Sequence, residues 1–65
     1  MKLSDIIKFW DLSDRAAAER VKYYCCAIKA AEINNHGAAI YFTRRAEKWE
    51  NLRVVAEKKL IEARS

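Results

Sequence analysis

The sequence predicts an all-α protein. Proline is absent, glycine occurs once, and Ala, Glu, Lys, Arg and Leu fill almost every window, so strong helix formers run the length of the chain. With 65 residues there is room for one domain. A compact monomer of that size hides only about 60% of the surface its unfolded chain exposes, which makes self-association an expected route to stability.

The first expected element is a short helix over about 4–11, followed by a long helix over about 14–34. The tripeptide Leu-Ser-Asp occurs twice, at Leu3-Ser4-Asp5 and Leu12-Ser13-Asp14, and each copy reads as a helix start. Serine caps free amides, and aspartate suits the positive end of the helix dipole. At the second copy Leu12 and Ala17 stand at the positions of a weak hydrophobic staple. On the long helix Ala17, Val21, Tyr24, Ile28 and Ala31 follow a 4-3-4-3 spacing and form one narrow stripe, widened by Ala18 and Cys25. A second surface carries Ala16, Ala27 and Ala30, small enough for a neighbouring helix to approach closely.

Asn34-Asn35-His36-Gly37 follows. Helical phase carried straight through this stretch rotates the apolar seam by only about 60°, so periodicity alone permits a continuous rod. Propensity favours a turn over about 34–37, because four mediocre or poor helix formers stand in a row and Asn or Gly adopts the left-handed conformation that ends helices. Two versions of the turn remain open. In one Gly37 terminates the first helix; in the other Asn34 ends it and Asn35 caps the next.

The last element is a helix over about 38–63. Ala38, Phe42, Ala46, Trp49, Leu52, Ala56, Leu60 and Ala63 fall in one apolar sector, and Ile40, Glu47, Val54 and Ile61 form a ridge nearly opposite it. Two apolar faces on one helix need two neighbours. The expected architecture is therefore a short amino-terminal helix and an antiparallel two-helix hairpin, assembling as a homodimeric helical bundle. Leu3, Ile6, Ile7, Phe9 and Trp10 of the short helix also need cover, either over that ridge or elsewhere.

The residue inventory argues against catalysis and against a resident metal or cofactor. His36 is the only histidine, and Cys25 and Cys26 are adjacent, pointing about 100° apart on a helix, too far for a bridge without distortion. The stretch MKLSDIIKFW meets Ser4 and Asp5 before any apolar run develops and reads as neither a signal peptide nor a membrane span; a cytoplasmic location is the default expectation. Net charge is a mild +4.

The function expected is that of a small interaction protein that binds itself and binds and regulates, for instance inhibits, another protein. The Ile40–Glu47–Val54–Ile61 ridge and nearby basic surface are the candidate contacts. The alternative is recognition of nucleic acid or a nucleotide-like anion by Arg44, Arg45 and Lys48 together with Asn35 and His36 at the turn, since arginine forks onto phosphates and helix starts present free amides. Phe42 and Trp49 lie in the seam on the helical wheel and are expected to be buried, not stacked on bases.

Overall fold

The computed structural model describes residues 2–64, with Arg64 described by its backbone alone. Two helices, α1 (Leu3–Glu32) and α2 (His36–Arg64), form an antiparallel hairpin. Thirty residues at about 1.5 Å each make a rod of about 45 Å, matching the 47 Å long axis; the other two axes are 13 and 11 Å.

The expected break between a short helix at 4–11 and a long one from 14 is not formed. α1 starts from Lys2, which makes no side-chain cap, and Ser4 lies within its first turn beside Asp5. Ser13 and Asp14 are helix interior. A cap is worth about 1 kcal/mol and acts only where the backbone must stop. No proline or glycine forces a stop before Ile33, and a straight course keeps Ile6 and Phe9, both half-buried, in line with Ala16.

The turn is the second of the two versions left open. Ile33 closes α1, and Asn34 adopts the left-handed region at φ 61°. Its amide donates to the Ala31 carbonyl at 3.0 Å and the Asn35 amide to the Ala30 carbonyl at 2.8 Å, satisfying two carbonyls that the helix end leaves open. Asn35 then caps α2, its Oδ1 accepting from the Ala38 amide at 3.2 Å. Gly37 lies in the first turn of α2 and its φ is negative.

The contact between the helices follows a regular seven-residue repeat. On α1 it runs through Ile6, Phe9, Ser13, Ala16, Arg20, Tyr23, Ala27 and Ala30; on α2 through Ala39, Phe42, Ala46, Trp49, Arg53, Ala56, Leu60 and Ala63. Every one of these residues is buried or half-buried. Of the two surfaces expected on α1, the Ala16–Ala27–Ala30 surface packs against α2, and the stripe of Val21, Tyr24 and Ile28 faces outward. Small side chains win the seam because they let the backbones approach, while larger neighbours fill the space around them. Among the described residues the buried ones are Ala16, Ala27, Ala30, Ala46 and Ala56, and Tyr23 stacks on Phe42 with ring centroids 6.2 Å apart. On α2 the expected seam holds except at its start, where Ala39 stands in place of Ala38, and at Leu52, which is 43% exposed; Arg53 takes the place of Leu52, with its guanidinium paired to acids at the seam's edge.

Such a thin core leaves much surface. The chain exposes 4988 Å², against about 4300 Å² for a compact monomer of 7.6 kDa. Its radius of gyration is 14.7 Å, against about 11 Å for a compact chain of this length.

Candidate interaction surfaces

Successive helix residues are offset by about 100°, so those one step C-terminal of the seam project to one side of it. Because α1 and α2 run in opposite directions, these residues on both helices share the same side of the hairpin. On that side α1 carries Leu3, Ile7, Trp10, Val21, Tyr24 and Ile28, between 38% and 69% exposed. α2 adds the ridge of Ile40, Val54 and Ile61, also exposed, with Glu47 between them. Asp14, Glu50 and Glu57 complete the side, so it is apolar with an acidic border along α2. The fold thus joins two features that lie apart in sequence, the α1 stripe and the α2 ridge.

Residues one step N-terminal of the seam project to the other side. Here α1 presents Lys8, Arg15, Lys22 and Lys29, spaced by seven, and α2 presents Arg45, Lys48 and Lys59. Asp5, Glu19 and Glu62 are interspersed. Seven cations against three acids amount to the whole +4 of the chain, and its other six cations and six acids cancel. Several cationic heads rest on rings in or beside the seam. The Arg15 guanidinium lies 5.6 Å from the Trp49 centroid, Lys22 Nζ 5.6 Å from that of Tyr23, and the Arg45 guanidinium 5.8 Å from the same ring. Tyr41, Leu52 and Val55 are exposed among them.

The turn-proximal basic group is only partly assembled. Arg45 and Lys48 belong to the basic side. Arg44 instead lines an open depression with Ala39, Ile40, Thr43 and Glu47, while Lys48 lines another with Asn51, Leu52 and Val55. His36 is exposed at the start of α2, and the Asn35 side chain is engaged in capping it.

An ion-pair network crosses the seam near mid-length. Arg53 Nε donates to Glu50 Oε2 at 3.1 Å, its Nη2 donates to Glu50 Oε1, and its Nη1 donates to Glu57 Oε2 at 2.7 Å. Arg20 of α1 brings its Nε to 3.0 Å from Glu50 Oε2. That nitrogen is buried and not aligned as a hydrogen-bond donor, so the attraction is between charges. The Arg53 hydrogen bond holds the Glu50 carboxyl below the ordinary glutamate range against the opposing effect of desolvation, helped by the charges of Arg53 and Arg20. The same acids raise Arg53 further above its already high value.

The cation row on α1 and the Arg20–Glu50 contact escape a reading that weighs only apolar periodicity. The row had a signal, since positions 8, 15, 22 and 29 are all basic; the cross-helix pair depends on register, which local patterns do not supply.

Cys25 is exposed and Cys26 half-buried, both as free thiols. Among the described residues no three His, Cys, Asp or Glu side chains gather as metal ligands, and no helix is long and apolar enough to cross a membrane. Comparisons with protein-family models, curated proteins and solved structures find no match to this chain.

Proposed function

We propose that the hairpin is a non-enzymatic interaction protein that pairs with a second copy through its apolar side, forming a four-helix bundle, and binds another protein with the surface left over. One observation carries the reading: the exposed apolar row of Leu3, Ile7 and Trp10, then, past Asp14, Val21, Tyr24 and Ile28, beside Ile40 and Val54. Exposed apolar residues gathered on one side in this way mark an interaction site. The hairpin's excess over a compact monomer, about 700 Å², approaches the roughly 800 Å² that each partner contributes to a standard interface. The α1 halves of two copies meet at the centre in this arrangement, and the acidic borders on α2 remain at the solvated rim.

Sedimentation at micromolar concentration tests the pairing. A dimer is expected for the native chain, and the double variant Val21→Glu with Ile28→Glu is expected to be a helical monomer, because neither residue lies in the hairpin seam. A native chain that stays a folded monomer at about 100 μM overturns the reading.

A further inference from the structure

Charge on this hairpin is sorted by side, and the basic side has a definite period. Lys8, Arg15, Lys22 and Lys29 recur every seven residues, placing cations about 10.5 Å apart along a straight rod. A second helix carrying one acid per heptad presents charges at the same interval, and because such a row winds about 20° per heptad on an α-helix, a partner that follows this left-handed wind meets all four. Within the α2 row itself stand two exposed apolar residues, Leu52, seven residues from both Arg45 and Lys59, and Val55, seven from Lys48, with the half-buried Leu12 on the same side of α1.

We infer that the side bearing Lys8, Arg15, Lys22, Lys29, Arg45 and Lys48 docks an acidic amphipathic helix of another protein, its carboxylates against the cation rows and its apolar edge on Leu52 and Val55. The inference deepens the reading above by naming the chemistry of the protein partner, and rests on it only in requiring such a partner. Arg15, Lys22 and Arg45 are already laid over Trp49 and Tyr23, within 5.6 to 5.8 Å of the ring centroids, which limits the side-chain freedom lost on docking. A phosphate backbone fits the same surface less well. It has no apolar edge to cover Leu52 and Val55, whereas an amphipathic helix does.

Fluorescence anisotropy with the full chain tests this, using three labelled probes. These are a three-heptad peptide with a leucine seam flanked by glutamates, the same peptide flanked by lysines, and a duplex DNA of similar length. The glutamate peptide is expected to bind, with affinity falling as salt is raised, and to bind at least tenfold more tightly than either other probe. Arg15→Glu with Lys22→Glu should weaken it at least tenfold. If that variant loses helicity, Lys8→Glu with Lys48→Glu, both at exposed positions, gives the same readout. Lys58→Glu, an exposed position on the back of α2 away from both sides, should leave the affinity unchanged. Equal binding of both peptides, tighter binding of the duplex, or loss of peptide binding on Lys58→Glu overturns the inference. A monomeric native chain that still prefers the glutamate peptide removes the self-pairing reading and leaves this one standing.

Discussion

Arg20 on α1 and Glu50 on α2 meet across the seam at 3.0 Å. Their pairing matters because the rest of the seam is rich in alanine, and alanine against alanine discriminates weakly between one register and the next. A charge pair held part-way along the rod penalises sliding in either direction, as polar seam residues do in coiled coils.

Glu50 should therefore control stability in acid. A carboxyl held below its ordinary value contributes stability that is fully present above that value, near 4.5, and is lost as pH falls through the lower folded value. Denaturant midpoints of the native chain and Glu50→Gln are expected to differ most at neutral pH, and the gap should close below about pH 4.5. A gap independent of pH would remove Glu50's charge from the account.

The turn depends on two asparagines with different duties. Asn34 occupies the left-handed region at φ 61°, which glycine adopts without a Cβ penalty. Asn34→Gly is thus expected to raise stability by up to about 1 kcal/mol and Asn34→Ala to lower it by about 1 kcal/mol. Asn35→Ala removes the cap on Ala38 and should lower stability by about 1 kcal/mol. Thermal or urea unfolding of the three variants checks the pattern, and equal effects of Gly and Ala at position 34 would contradict it.

Close packing at the alanines gives a third expectation. Ala16 and Ala46 are both 0% exposed, so Ala16→Leu or Ala46→Leu must push the helices apart, at about 1–3 kcal/mol. Ala18→Leu, at an exposed position on the same helix, should change stability by less than about 0.5 kcal/mol. Urea midpoints separate the two classes, and a neutral Ala16→Leu would mean the seam has room to spare.

Sequence alone determined the helical class, the existence of a turn at Asn34–Asn35, most of the α2 seam and the outward ridge of Ile40, Glu47, Val54 and Ile61. These are local matters: propensity, the scarcity of glycine and absence of proline, and period along one helix. Tertiary structure decided what lay between alternatives of similar local merit. Ser13-Asp14 suits a cap, yet the chain passes through it as helix because nothing forces a stop and continuation keeps Ile6 and Phe9 on the packed side. The α1 surface of Val21, Tyr24 and Ile28 is the more hydrophobic of two candidates, yet the alanines take the seam because small side chains admit the closer approach. The pairing of Arg20 with Glu50, and the gathering of the net charge on one side, follow from antiparallel register, a relationship between helices that no window of a single helix contains.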